Sequence, residues 1–190
     1  MKKRLFISIP IPQSMSDIFS NYKKNINLQN NINWTKKDNL HVTLLFLGDI
    51  EQEAIAKLVE NLDAISNSFK PFYLKFDQFV WAPSVDFPRM IWGKFANSEK
   101  YSKLVDVTTK DLKQFFGINA KNENNNLIAH VEHVAHVTLA RIKDFNKLKP
   151  MPLKQEKVED LFVSEFDLVE SELGSDGPSY TIISHFSFLN

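Results

Sequence analysis

The chain has no cysteine among its 190 residues. Disulfides, thiolate zinc sites and cysteine nucleophiles are therefore excluded. It also has no net charge, since 23 basic residues balance 23 acidic ones. A protein that coats nucleic acid through many phosphate contacts is usually basic, because each contact uses a cation. The balance leaves room only for a local site that takes one or two phosphates. No apolar run approaches the roughly 18 residues that a membrane span needs. The opening stretch MKKRLFISIPIPQ is basic and then apolar, but Pro10 and Pro12 break the run and no small-residue cleavage site follows. A first strand is expected there, not a leader. No glycine-rich loop ends in Gly-Lys-Ser/Thr, so nothing points to ATP. These absences set the expectation of a cytoplasmic monomer with no membrane contact, no metal and no cofactor.

With 43% hydrophobic residues, a chain of this length can bury a core without staples. No stretch rich in Gly, Ser or Pro marks a linker, so residues 1–190 are expected to form one domain. Strand-like alternation covers Leu5–Ile9, 32–34, 40–47, 71–81, 89–95 and 136–141. Two further strands are expected in VEDLFVSEFDLVES and SYTIISHFSFL, joined by the turn LGSDGPS. Helical spacing covers Met15–Lys24, Gln52–Asn67 and Glu99–Phe116. The stretch 147–157 reads as a loop, and KNENNN at 121–126 as a connection between halves. Short, often hairpin-linked strands with three helices point to an α+β fold rather than a doubly wound parallel sheet.

The chain has five histidines, and three of them fall in HVEHVAH at 130–136. A metal centre needs three ligands that converge. On a strand, His133 would face away from His130 and His136, and on a helix the three would converge only in part. The bland reading is a polar loop entering a strand. What singles out one of them is a repeat. His41-Val42-Thr43-Leu44 recurs as His136-Val137-Thr138-Leu139. Chance gives such a pair in roughly one composition-matched chain in ten thousand. On a strand, residues i and i+2 share a face. Each imidazole therefore stands beside a threonine hydroxyl, while Val42, Leu44 and Phe46, and likewise Val137 and Leu139, are expected to face a core. Two such strands across a groove offer two imidazoles, two hydroxyls and no carboxylate. That set suits phosphodiester chemistry. One histidine takes a proton from water and the other gives one to the leaving oxygen. The hydroxyls donate to the phosphate oxygens where charge builds up.

The sequence resembles the two-histidine phosphoesterase superfamily and, within it, the RNA 2′,3′-cyclic phosphodiesterases long called 2′-5′ RNA ligases. The resemblance runs through RLFISIPIP, INWTKKDNLHVTLLFLGDI, PRMIWGKF, HVTLARI and the ending FDLVESELGSDGPSYTIISHFSFL. It implies a bilobal fold of two pseudo-symmetric lobes, each an antiparallel sheet with flanking helices, and an active cleft between them. It also implies hydrolysis of a terminal 2′,3′-cyclic phosphate to a 2′-phosphomonoester, with His41 as proton donor and His136 as acceptor. The partner implied is an RNA 3′ end, or a nucleotide, bearing a cyclic phosphate. One stretch departs from the family. The segment before the second motif, often of the form pf.pH, is LIAHVEHVAH here. A basic contact near that loop is then absent or comes from elsewhere.

Thr43 and Thr138 are candidate phosphate contacts. Arg141 and Arg89 are candidate substrate cations, although simple alternation puts Arg141 opposite His136 unless the strand bulges. Trp34 and Phe46 are candidates to stack a base, and His185 is read as structural. Two other readings stay open. The same site could serve 2′-5′ ligation, 2′-5′ cleavage or a cyclic nucleotide-sugar phosphate. Alternatively the chain is an RNA-end binding module without turnover.

Overall fold

Apolar alternation builds most of the strands where the sequence places them. The structure, a computed structural model, describes residues 1–26, 32–116, 133–144, 150–174 and 177–189. The strands are β1 (Lys2–Pro10), β2 (Ile32–Trp34), β3 (His41–Glu51), β4 (Phe72–Leu74), β5 (Phe76–Pro83), β6 (Pro88–Phe95), β7 (His136–Ile142), β8 (Leu161–Val163), β9 (Glu165–Gly174) and β10 (Gly177–Ser187). The helices are α1 (Gln13–Asn21), α2 (Ile55–Ser66) and α3 (Glu99–Phe115). The Ser98 hydroxyl caps α3 by accepting from the Tyr101 amide at 3.3 Å. No helix among the described residues is long and apolar enough to cross a membrane.

The architecture is α+β, with antiparallel pairing throughout. One half of the main sheet runs β10-β9-β1-β3 and the other runs β7-β6-β5, with β2 also on β7. Among the described residues the two halves join at a single ladder pair, Val42 with Val137, and both valines are fully buried. The lobes expected from the sequence are thus the two arms of one sheet, pinned at one point. The chain crosses between them repeatedly. Helices α2 and α3 pack on the β1-β3-β9-β10 arm. Helix α1, though it follows β1, packs on the other arm. Its Phe19 meets Phe76 and Phe79 at 6.0 and 5.8 Å. Just beyond it, Tyr22 stacks on Phe79 at 3.9 Å.

Two expected strands prove to be split. The run 71–81 breaks at Lys75 into β4 and β5, and the run 158–171 breaks at Ser164 into β8 and β9. The broken-off pieces β4 and β8 pair with each other in a separate two-stranded ribbon. At each break a backbone carbonyl leaves its ladder. The Lys75 carbonyl accepts from the Ala96 amide and the Ser164 carbonyl from Phe188, both at 2.8 Å. The connection expected at 121–126 lies outside the described residues.

Glycine is required where α1 crosses the second arm. A Cβ at Gly93 would lie 3.0 Å from the Phe19 ring and 3.3 Å from Leu139. Gly93→Ala is therefore expected to destabilise the protein by about 1–3 kcal/mol through overpacking. Urea denaturation checks this, and an unchanged midpoint would show that Phe19 moves aside freely.

Candidate active site

Both His-Val-Thr-Leu segments open a strand, and both are followed by a bulge at the same place. Between β1 and β3 the register skips Leu44, passing from Ser8–Thr43 to Ile7–Leu45. Between β6 and β7 it skips Leu139, passing from Trp92–Thr138 to Ile91–Ala140. Each bulge buries two successive residues, Leu44 with Leu45 and Leu139 with Ala140. The following residue is thereby returned to the histidine face. On β3 that residue is Phe46, and on β7 it is Arg141. Phe46 is 47% exposed, which corrects the expectation that it enters the core with Val42. Arg141 is exposed and rests its guanidinium on the Met90 sulfur at 3.6 Å.

The Val42–Val137 pair sets the two motifs against each other. Its antiparallel register places His41 beside Thr138 and Thr43 beside His136. All four side chains are partly exposed, while the valines between them are buried. Each ring is held the same way. Nδ1 of His41 lies 2.8 Å from the Asn39 carbonyl, and Nδ1 of His136 lies 2.8 Å from the Val134 carbonyl. A carbonyl can only accept, so Nδ1 carries the hydrogen and Nε2 is the nitrogen that exchanges protons. In His41 that Nε2 accepts from the Thr43 hydroxyl at 3.0 Å. The backbone of each motif threonine is also held. Tyr101 of α3 donates to the Thr43 carbonyl at 3.1 Å, and the Thr35 hydroxyl donates to the Thr138 carbonyl at 2.8 Å.

Aromatic side chains complete the site, and the sequence did not single them out for it. Trp92 stacks on His136 with ring centroids 3.7 Å apart and planes 18° apart. It stands on the histidine face because it pairs with Thr138. Its indole Nε1 is buried with no partner among the described residues. Phe6 and Tyr180 flank His41, at 5.0 and 5.4 Å. Period-two alternation from His41 could have found Phe6 only with the strand pairing in hand. Tyr180 comes from the far end of the chain.

The remaining candidates fall elsewhere. Arg89 alternates with Met90 and Trp92 on β6, so its backbone position faces away from the histidines. Trp34 lines a pocket with Phe19, Lys36 and Leu139 and is not brought to the histidines. His133 lies 3.7 Å from Asp106, and His130 lies outside the described residues. His185 pairs with Asp167 at 2.6 Å. Among the described residues no three His, Asp or Glu side chains cluster as a metal site requires.

Burial pushes the His41 imidazole down to about 4. The hydrogen bond to Asn39 opposes this fall, and charge on His136 adds to it. The two rings are thus close enough for each to feel the other's charge. His41 is thus held neutral near pH 7, and among the described residues no carboxylate contacts its ring.

Comparison with known proteins points to one family. The family model described as LigT like phosphoesterase matches residues 9–92. A relative from Aquifex aeolicus named RNA 2′,3′-cyclic phosphodiesterase is 31% identical over 96% of each chain. Another of that name, from Methanocaldococcus jannaschii, is 28% identical over 96% of this chain and 99% of its own. Among solved structures, one from Thermus thermophilus superposes with a TM-score of 0.83 at 23% identity, covering 97% of each chain. The E. coli LigT complex with 3′-AMP superposes at 0.77 and 20% identity over the whole of both chains.

The low His41 value makes stability depend on pH. Above the ordinary 6.5 the ring is neutral in both folded and unfolded chains. Between 6.5 and about 4 the unfolded chain takes up a proton that the folded one refuses, so stability falls as pH falls. The loss is at most about 3 kcal/mol. His41→Gln should flatten the urea-midpoint profile between pH 7 and pH 4. Equal profiles for variant and wild type would show that His41 is not the buried neutral group.

Proposed function

The chain belongs to the RNA 2′,3′-cyclic phosphodiesterase family of LigT-like phosphoesterases, and on that premise we propose that it hydrolyses terminal 2′,3′-cyclic phosphates to 2′-phosphomonoesters. The observation that carries the reading is the facing of two His-Thr pairs across Val42–Val137. His136 Nε2 takes a proton from a water molecule as its oxygen attacks phosphorus. The bond from phosphorus to the 3′ oxygen breaks, and His41 Nε2 gives that oxygen a proton. Trp92 supports the first role, because an aromatic face against the ring stabilises the imidazolium that forms. The second role needs a charged His41. The cyclic phosphate supplies the missing anion, whose negative charge raises the pKa of the ring beside it. The Thr43 and Thr138 hydroxyls then turn to the non-bridging oxygens, and Arg141 adds positive charge from the same face. Two imidazoles carry both proton transfers, so the reading needs no metal or cofactor. The enzyme is taken to act as a cytoplasmic monomer on RNA 3′ ends.

The test is incubation with EDTA on a short RNA ending in a 2′,3′-cyclic phosphate, with products resolved as 2′- or 3′-phosphate. A 2′-phosphate is expected, and His41→Ala and His136→Ala should each lower turnover by about 10²–10⁴. Losses of less than tenfold in both would overturn the reading. Roles are separated by a substrate with sulfur in place of the 3′ bridging oxygen. A thiolate leaves without a proton, so His41→Ala should recover rate on it and His136→Ala should not. Recovery in His136→Ala instead would reverse the two assignments.

A further inference from the structure

The proton transfers above make no use of a cavity behind β7. It is about 360 Å³ in volume, within the roughly 300–1,000 Å³ of small-molecule sites. Its floor is apolar. Phe19 of α1 and Leu139 of β7 both line it, and the two side chains meet over Gly93. Trp92, the neighbour of Gly93, carries the stack on His136, so the floor lies on the face of the sheet away from the histidines. Trp34 supplies an aromatic wall, and Lys23, Lys36 and Lys37 stand around it. No Asp or Glu lines the cavity among the described residues. The sequence accounts for the sign. Residues 18–37 hold four lysines and no acidic residue, in a chain whose total charge is zero. Lys37 is paired with Asp17 at 2.5 Å, but Lys23 and Lys36 are exposed and make no ion pair among the described residues.

The walls are held in place before any ligand arrives. The Thr35 amide donates to the Leu139 carbonyl at 2.9 Å, and the Thr35 hydroxyl donates to the Thr138 carbonyl at 2.8 Å. The Lys37–Asp17 pair ties the same stretch to α1. The Ser20 hydroxyl donates to the Asp17 carbonyl at 3.2 Å. Ser20 and Thr35 thus line the cavity with their hydroxyl hydrogens committed, so their oxygens face a ligand as acceptors. Three demands fall on one ligand: a flat ring for Trp34, hydroxyl or amino donors for two oxygens, and negative charge for two ammoniums. We propose that the cavity binds a nucleoside monophosphate, at a site separate from the histidine cleft. The base stacks on Trp34, the nucleoside donates to Ser20 and Thr35, and the phosphate is held by Lys23 and Lys36. A monoester suits the site better than a phosphodiester within a strand, because its charge approaches two at neutral pH and matches the two unpaired lysines. The inference goes beyond the phosphodiesterase reading, and the two fail separately, since binding here needs no turnover.

The experiment uses 5′-AMP, which has no cyclic phosphate to open, and its 8-azido derivative as a photolabel. Trypsin separates residues 25–36, which carry Trp34, from 38–57, which carry His41, and from 122–141, which carry His136. Label is expected in 25–36, and it should persist in a His41→Ala/His136→Ala protein. Calorimetry in that protein should show 5′-AMP binding that adding Lys23→Gln and Lys36→Gln weakens at least about tenfold and that salt also weakens. Trp34→Leu should weaken it roughly tenfold, and Trp34→Phe, which keeps a ring, should weaken it less. Label confined to 38–57 or 122–141, or an unchanged affinity in the lysine variant, would overturn the site. An oligoadenylate with a plain 3′ hydroxyl, at equal nucleotide concentration, should leave the labelling intact. Displacement by it would assign the cavity to an RNA strand and overturn the mononucleotide.

Discussion

The Val42–Val137 pair is the contact on which the site depends. It is where β3 and β7 meet, and among the described residues no other pair joins the two arms of the sheet in a ladder. Both side chains are fully buried, so their apolar surface holds the arms together where the imidazoles must face each other. A slip of one residue at this pair would turn every His and Thr of one motif into the core. The bulges on either side let the strands diverge immediately afterwards. Carbonyls displaced by that divergence find hydroxyl donors from outside the sheet, Tyr101 for Thr43 and Thr35 for Thr138. Each motif is thus fixed by one buried valine, one ring-to-carbonyl bond and one borrowed hydroxyl.

The electrostatics follow from that geometry. Folding brings two imidazoles within range of each other and packs one between Phe6 and Tyr180. The cost falls on the charged form of His41, whose pKa drops to about 4. Among the described residues no carboxylate pairs with it, in contrast to His185, which has Asp167 at 2.6 Å. A site that lacks its own anion beside a desolvated histidine favours substrates that bring one. On the proposed reading, substrate charge rather than protein charge completes the pattern at His41, which fits a chain with no net charge.

Much of this was legible in the sequence because it rests on period and repetition. The duplicated tetrapeptide marked His41, Thr43, His136 and Thr138 as one face of two strands, and the structure sets them together. What escaped was whatever breaks the period. The bulges at Leu44 and Leu139 leave no composition signal, because the extra residue is an ordinary core leucine in each case. They misplaced Phe46, which alternation sent inward, and left Arg141 undecided. The splits at Lys75 and Ser164 also break otherwise good strand patterns, for backbone reasons that only the pairing of β4 with β8 supplies. Phe6, Trp92 and Tyr180 reach the histidines across separations of 35 to 139 positions of sequence, counted from His41 to Phe6 and from His41 to Tyr180. No local pattern carries such contacts.

The repeat is symmetric only as far as the chemistry requires. Through the leucine at which each bulge occurs, the two segments match residue by residue. Beyond the bulge, the equivalent position holds Phe46 on one strand and Arg141 on the other. On the proposed reading, proton transfer needs two like groups on opposite sides of one phosphorus, and the repeat offers such a pair. Recognition of an RNA end needs the two sides to differ, since a base and a phosphodiester lie on different sides of the ribose. An exposed aromatic ring at one exit and a guanidinium at the other give the site a direction that the histidines alone lack. The bulge links the two requirements: without it, the sixth residue of each segment, Phe46 or Arg141, would point into the core, and on the proposed reading the site would bind a phosphate without telling which end of a strand it belonged to.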